Sequence, residues 1–361
     1  MNYRLRQQKL MCALGENHLD ALVITHGANI RYLCGFTGSA GVLVAKSRRW
    51  VLYTDGRYRD QAKEQVQGAS VVISKGAALV AAAASLARCR RVPIGIEADH
   101  LTVAARSAIA GLFSRRAALC ETSGIVERLR AIKEPEEIRR IRNAVAAGSN
   151  LFRTAVKAIR PGRSEIAVAA EIEYAARRAG AERMSFDTIV AAGPRSALPH
   201  GLASAAAIPR NGFVVMDFGV ILAGYCSDMT RTVYVGRPNP AMRAMYEAVR
   251  EAQLAGIEAV GPGVEAGKVD RAARRVLRAA GLARYFTHST GHGVGLEVHE
   301  PPRVGRAGLD ILQPGMVITV EPGVYLPGKA GVRIEDMILV TERGSEVLAP
   351  APKDLIVVGG Q

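Results

Sequence analysis

Apolar residues recur with two different periods along this chain, and the change of period divides it. Through residues 1 to about 122, short apolar runs such as ALVIT and GVLVA alternate with helical stretches, the pattern of an α/β unit. Composition then turns strongly charged at ERLRAIKEPEEIRRIRNAV, where Ile138, Ile141, Val145 and later Phe152 recur at helical spacing. One long helix is predicted there, opening a second domain over residues 123–361. No flexible linker rich in Gly, Pro or Ser separates the two, so they are expected to be closely connected.

The second domain repeats itself. AIRPGRSEIAVAAEIEYAARRAG and AVGPGVEAGKVDRAARRVLRAAG align without gaps, Pro161 with Pro262 and Gly180 with Gly281. Each predicts a helix running from a Pro-Gly turn to a terminal glycine, where a left-handed cap is needed. Downstream of each lie β-rich runs around a turn, FVVMDFGVILAGYCSDMTRTVYV in one half and MVITVEPGVY with GVRIEDMILV in the other. Two helix-plus-hairpin halves predict a pseudo-symmetric α+β unit with helices covering the back of a sheet.

Acidic residues sit at matched places in the hairpins. Asp217 and Asp228 flank Leu222-Ala223-Gly224, and Glu321 and Glu335 are equidistant from Gly328, so each pair is predicted to face across its hairpin. His292 lies in GHGVG, where flanking glycines let backbone approach closely. Four uncompensated carboxylates repel one another and take up protons, whereas two divalent cations neutralise them all. A two-metal site holds its ions roughly 3.5–4 Å apart and can bridge them with a water acidic enough to attack at neutral pH. Oxygen donors without a thiolate favour a hard ion such as Mn2+, with Co2+, Zn2+ and Fe2+ as alternatives.

The strings PHG at His200, MDFG at Asp217, SDMTRT at Asp228, GHGVGLEVHEPP at His292, VEPGVY at Glu321 and VRIEDM at Glu335 resemble the pita-bread metallopeptidases. That family includes methionine aminopeptidase, aminopeptidase P, prolidase and creatinase. The match runs in order over about residues 125–361, and SFDTIVAAGPRSALPHG resembles its proline-specific branch. GFTGSAG and YTDGRYRDQA resemble the amino-terminal α/β domain of short bacterial aminopeptidase P proteins. The resemblance implies that Asp217 and Asp228 bind metal, Asp228 as a bridge, that His292 and Glu321 bind the other ion, and that Glu335 bridges again. It also makes Glu321 a proton shuttle and places His200, His288, His299 and Arg333 around the metals.

Chemistry assigns expectations to that outer set. Attack on a peptide carbonyl builds negative charge on oxygen, and His299, close to His292 in the chain, is the expected donor to it. His200 is expected to protonate or position the leaving nitrogen. Arg333 shares a strand face with Glu335 and is expected to orient carboxylates or the substrate carbonyl.

The implied activity is removal of the amino-terminal residue from peptides with proline second, with prolidase, which takes only Xaa-Pro dipeptides, as the alternative. A non-catalytic binding protein on the same scaffold is the reading from another class. The choice between the first two turns on a cation that captures a dipeptide carboxylate, which the sequence does not place. A homodimer is also implied, with Arg57 and Tyr58 as candidate border residues.

The remaining features narrow the setting. The net charge of +15 over 361 residues is scattered, mostly as arginine beside Glu or Asp, and no Lys/Arg block or aromatic motif points to nucleic acid. No uncharged run is long enough to span a bilayer, and no apolar signal core opens the chain, so a cytoplasmic protein without membrane attachment is expected. Cys12, Cys34, Cys89, Cys120 and Cys226 show no metal-site spacing and fit free thiols.

Overall fold

The computed structural model describes residues 1–47, 49–87, 93–113, 118–349 and 351–359. It divides into two compact units, Met1–Arg130 and Ala131–Gln361. Cys89 lies outside the described residues. Cys12, Cys34 and Cys226 are free thiols. No helix among the described residues is long and apolar enough to cross a membrane.

The first unit is a six-stranded mixed sheet flanked by helices, the α/β class its alternating runs predict. Its spatial order is Ser70–Ile73, Arg49–Thr54, Gly41–Lys46, Ala21–Ile24, Pro93–Glu97 and Ala118–Thr122. The three central segments pair antiparallel as a meander, while both flanks add parallel strands after helical crossovers. Every residue of Ala21–Ile24 is buried, as expected of a strand covered on both faces.

The predicted single helix is two, Ile125–Ala131 and Pro135–Ala158. Proline has no N–H to continue a helix but suits its first turn, so Pro135 starts the second helix. The Glu134 backbone N–H donates to Glu137 Oε2 at 2.9 Å, half of a capping box. The unit boundary accordingly falls later than Thr122, because the short helix belongs with the first unit. Ile125 and Val126 are buried, and Arg130 donates to Asn29 Oδ1 at 2.7 Å.

The second unit realises the repeat. Its paired helices Glu165–Arg178 and Ala266–Ala279 have equal length, and Gly180 and Gly281 follow them with φ of 89° and 72°, the left-handed conformation a glycine cap adopts. Helix Pro135–Ala158 precedes the first and Pro240–Glu258 the second. In the first half Val168 and Ile172 pack against Val190, Val214, Met216 and Val233; in the second Val269 packs with Ile318, Val320 and Ile338. Each such fully buried aliphatic side chain contributes about 1.5–3 kcal/mol. One half carries the sheet Val357–Val358, Met229–Val235, Gly212–Phe218, Ile189–Ala192; the other carries Glu300–Val304, Gly291–Gly293, Val317–Val320, Asp336–Thr341, Gly344–Val347.

The two acid-bearing hairpins differ in register. In the first, Thr230 rather than Asp228 stands opposite Asp217, and the turn is made by Ala223 and Gly224, both with positive φ. Asp217 and Asp228 are therefore diagonal neighbours on one face, not directly opposed as their spacing suggested. In the second, Val320 pairs Asp336 and Gly323 pairs Arg333, so continued counting sets Glu321 opposite Glu335 as expected. At that point the ladder breaks. The Glu321 N–H donates to Thr290 O at 2.8 Å and the Glu335 N–H to Thr230 O at 3.1 Å. The latter bond stitches the hairpins together beside the acids.

Candidate active site

All nine residues singled out in the sequence, His200, Asp217, Asp228, His288, His292, His299, Glu321, Arg333 and Glu335, line one cavity of about 820 Å³ in the second unit. Its floor is the meeting of the two hairpins.

The glycines around His292 have a mechanical cause. A Cβ on Gly291 would lie 1.9 Å from Thr319 O, and one on Gly293 would lie 2.1 Å from Pro301 O. Strand Gly291–Gly293 is thus squeezed between its two neighbours, and the close approach is to flanking backbone rather than to the ligand cluster. His292 Nδ1 stands 3.1 Å from Gly293 O. A carbonyl only accepts, so Nδ1 carries the proton and Nε2 keeps its lone pair. That Nε2 lies 3.4 Å from Glu321 Oε1 and 3.7 Å from Asp228 Oδ2. Burial lowers the His292 pKa to about 4, keeping the ring neutral.

The carboxylates show the cost of crowding. Burial first, then the neighbouring Glu335 and Asp217, raises Asp228 well above the usual carboxyl range. Burial raises Glu321 to about 8, opposed by Arg333, and burial with Glu321 and Asp217 raises Glu335. Thr230 Oγ1 donates to Glu335 Oε2 at 2.7 Å, but Glu335 Oε1 and Asp217 Oδ1 are buried and make no hydrogen bond among the described residues. Buried acceptors of this kind need a partner. Oxygens of Asp228 and Glu335 and a nitrogen of His292 lie within 4.8 Å of one another. Four carboxylates face one guanidinium, Arg333; a donor set of oxygens plus one neutral imidazole fits two divalent cations, with hard ions preferred.

Arg333 is fully engaged. Its guanidinium donates to Asp217 Oδ2 at 2.6 Å, Tyr325 Oη at 2.6 Å, Pro199 O at 2.9 Å and Thr230 Oγ1 at 3.1 Å. Of the four carboxylates, Asp217 is the one its guanidinium holds. Beyond it runs a chain of fixed polarity. His288 Nδ1 lies 2.8 Å from Ser289 O and must donate, so Nε2 accepts from Tyr325 Oη at 3.0 Å. Both nitrogens of His288 are thereby used within the protein, which leaves it positioning Tyr325. His200 and His299 make no side-chain hydrogen bond among the described residues and present their rings to the cavity. His299 sits edge-on to His292, ring centroids 4.3 Å apart, and burial lowers its pKa.

Several contributors were not legible beforehand. Tyr325 stood in VEPGVY without a signal of its own beyond a lone aromatic beside a glycine. Arg231 donates to Asp336 Oδ1 at 2.6 Å, and Gln253 and Lys353 donate to Asp336 Oδ2 at 2.9 and 2.5 Å. This buried cluster anchors the strand next to Glu335. Arg274 holds the segment bearing His288, donating to Phe286 O and His288 O at 2.9 and 2.5 Å while Asp270 receives its Nε. Phe186, Ile189, Leu202 and Pro301 give the cavity an apolar wall, and Arg303 a second cation. Cys226 is buried and its thiol pushed up to about 12, which suits packing rather than ligation.

Residues 139–342 match metallopeptidase family M24, and residues 6–132 match the creatinase/prolidase N-terminal domain. The solved Xaa-Pro dipeptidase from Bacillus anthracis is 41% identical, with a TM-score of 0.95 over 99% of this chain and 100% of that one. The Xaa-Pro dipeptidase of Pyrococcus furiosus is 36% identical over 97% of this chain and 99% of its own. The X-Pro aminopeptidase structure from Thermotoga maritima is 35% identical, with a TM-score of 0.86 over 94% of this chain and 98% of that one. The chain therefore belongs to metallopeptidase family M24, a pita-bread catalytic unit behind a creatinase/prolidase amino-terminal domain.

Proposed function

We propose that this protein is a prolidase, a metal-dependent exopeptidase that hydrolyses Xaa-Pro dipeptides. Arg303 is the observation that carries the choice over the aminopeptidase reading. It lines the same cavity as the acids, is exposed, and forms no salt bridge among the described residues; its Nε donates to Ser289 Oγ at 3.2 Å. The other cavity cation, Arg333, is consumed by Asp217 and Tyr325. A planar guanidinium with free N–H groups is the recognition element a dipeptide's terminal carboxylate needs. The Xaa-Pro dipeptidases among the similar proteins favour the same reading.

Asp217, Asp228, His292, Glu321 and Glu335 would hold two divalent ions, Mn2+ foremost. Bound there, the ions lower the pKa of water and polarise the scissile carbonyl. The residues of the chain do the rest. Glu321 takes the proton from the attacking water and delivers it toward the leaving nitrogen. His299 donates to the carbonyl oxygen as charge develops there, and His200 positions the proline nitrogen. Phe186, Ile189 and Pro301 supply the apolar surface for the pyrrolidine ring. A homodimer is part of the same proposal, checked by sedimentation.

The test compares Xaa-Pro with Xaa-Pro-Yaa and with amidated Xaa-Pro-NH2 in manganese buffer. Dipeptides should be cleaved preferentially, and Arg303→Ala should lower kcat/KM for them by about 10–100-fold, the loss of one or two charge-assisted hydrogen bonds. Equal or better cleavage of tripeptides would establish the aminopeptidase. No activity with any metal would leave only a binding role.

A further inference from the structure

A second group of metal-ligating side chains lies in the amino-terminal unit. His26 ends the segment after strand Ala21–Ile24 and caps the next helix; His100 follows strand Pro93–Glu97; Glu127 stands in the first turn of helix Ile125–Ala131. Residues far apart in sequence thus converge. The imidazoles stack face to face, centroids 3.7 Å apart and planes within 4°. His100 Nε2 lies 3.1 Å and His26 Nδ1 4.0 Å from the same oxygen, Glu127 Oε1. Ligand atoms of all three fall within 4.8 Å of one another.

The surroundings are built to hold these donors. Asn29 Nδ2 donates to Glu127 Oε1 at 2.5 Å and to Glu97 Oε1 at 2.7 Å, while its Oδ1 accepts from Arg130 at 2.7 Å. Glu97 Oε2 in turn accepts the backbone N–H groups of Thr25 and His26 at 2.6 and 2.9 Å. Outer hydrogen bonds that fix a carboxylate and the backbone of a histidine are what a coordination sphere requires. The three side chains are 18%, 27% and 15% exposed, so solvent reaches the remaining coordination position.

We propose that His26, His100 and Glu127 bind one divalent transition metal, Zn2+ by preference, in a site separate from the catalytic cavity. Two imidazoles and one carboxylate match zinc's ligand chemistry, and tetrahedral bonds of about 2.0–2.1 Å set donors about 3.3 Å apart. His100 Nε2 and Glu127 Oε1 already stand near that spacing; His26 Nδ1 must close on Glu127 Oε1 by about 0.7 Å, and the stacked rings must tilt so that their in-plane lone pairs converge on one ion. The ion would clip together three segments of the amino-terminal unit and so act as a structural staple.

Equilibrium dialysis of the full-length protein against Zn2+, followed by elemental analysis, tests the site. Wild type should retain three equivalents, His26→Ser/His100→Ala two, and Asp228→Asn/Glu335→Gln, with the catalytic centre crippled, should still hold the equivalent that the first variant loses. Cobalt bound to Asp228→Asn/Glu335→Gln should show visible d–d bands that adding His100→Ala removes; this single exposed change serves if the double histidine variant does not fold. Wild type retaining only two equivalents, or the histidine variants losing none, overturns the proposal.

Discussion

Stripping the metals turns the catalytic cavity into a cluster of buried acids, and the metal-free protein should lose stability as pH rises from about 6.5 to 8. The sign follows from two opposed groups. Asp228, Glu321 and Glu335 are raised by burial, Glu321 from 4.5 to about 8, so the folded chain holds protons that the unfolded chain has released. Their stabilisation is complete below the unfolded value and is lost as pH passes up through the folded one. His288 and His292 are lowered by burial from 6.5 to about 4, and His299 moves the same way. Their contribution rises with pH up to 6.5 and then stops, because all three are neutral in both states. Below 6.5 the groups oppose each other; above it only the carboxyls act.

Glu321 alone then removes about 1.4 kcal/mol per pH unit, or about 2 kcal/mol by pH 8, and Asp228 and Glu335 add in the same direction. For a unit of this size that is a fall in Tm of at least about 4–8 °C. Calorimetry of the stripped protein, verified by elemental analysis, should show this decline, while the manganese-loaded protein should show a growing advantage over the same interval. Glu321→Gln should flatten the slope of the stripped form. A stripped Tm that is constant or rising between pH 6.5 and 8 would refute the clustering of buried carboxyls.

Two further outcomes test the supports of the site. Tyr325→Phe breaks the chain from Arg333 to His288 and leaves Nε2 of a buried imidazole unpaired, so kcat/KM should fall about tenfold with metal content unchanged; loss of metal instead would make Tyr325 part of ligand assembly. Asp336→Asn leaves Arg231 and Lys353 without their buried carboxylate, and should cost about 3–5 kcal/mol, lowering Tm on the order of 10 °C; a shift within error would show that the anchor beside Glu335 is dispensable.

What could be read in advance followed from what side-chain identity encodes. The gapless repeat fixed two helices of equal length because glycine caps and Pro-Gly turns are local, and the charges fixed the need for cations because repulsion between carboxylates does not depend on fold details. Pro135 carried a local signal too, but it was outvoted by helical spacing running through it. Tyr325, Arg231 and Arg303 were invisible because their roles depend on partners more than a turn away: a histidine in another segment, an aspartate in the other hairpin, a cavity wall. No periodicity marks such pairs.

The register of the first hairpin shows why spacing alone misleads about geometry. Equal distance from a presumed turn places two acids opposite each other only if the turn is centred where supposed, and here the positive-φ pair Ala223-Gly224 moves the centre toward the carboxyl end. The displacement has a chemical result. Asp217 faces Thr230, whose hydroxyl serves Glu335, and so the first hairpin contributes both an acid and a donor to the second hairpin's acid. In the second hairpin the acids do oppose each other, but the backbone at that point leaves its ladder to bond Thr290 and Thr230. The two halves share helices and topology, yet the cluster they build is asymmetric, and that asymmetry puts Arg333 on one acid, Asp217, and His292 beside two others, Asp228 and Glu321. A site with a cation at one end and a neutral nitrogen donor at the other has distinguishable metal positions. Arg333→Ala, which frees Asp217 Oδ2 from its guanidinium, should therefore change the affinity of the position nearer Asp217 and leave the other as it was, and titration of the stripped variant with Mn2+ should show only one of two equivalents shifting.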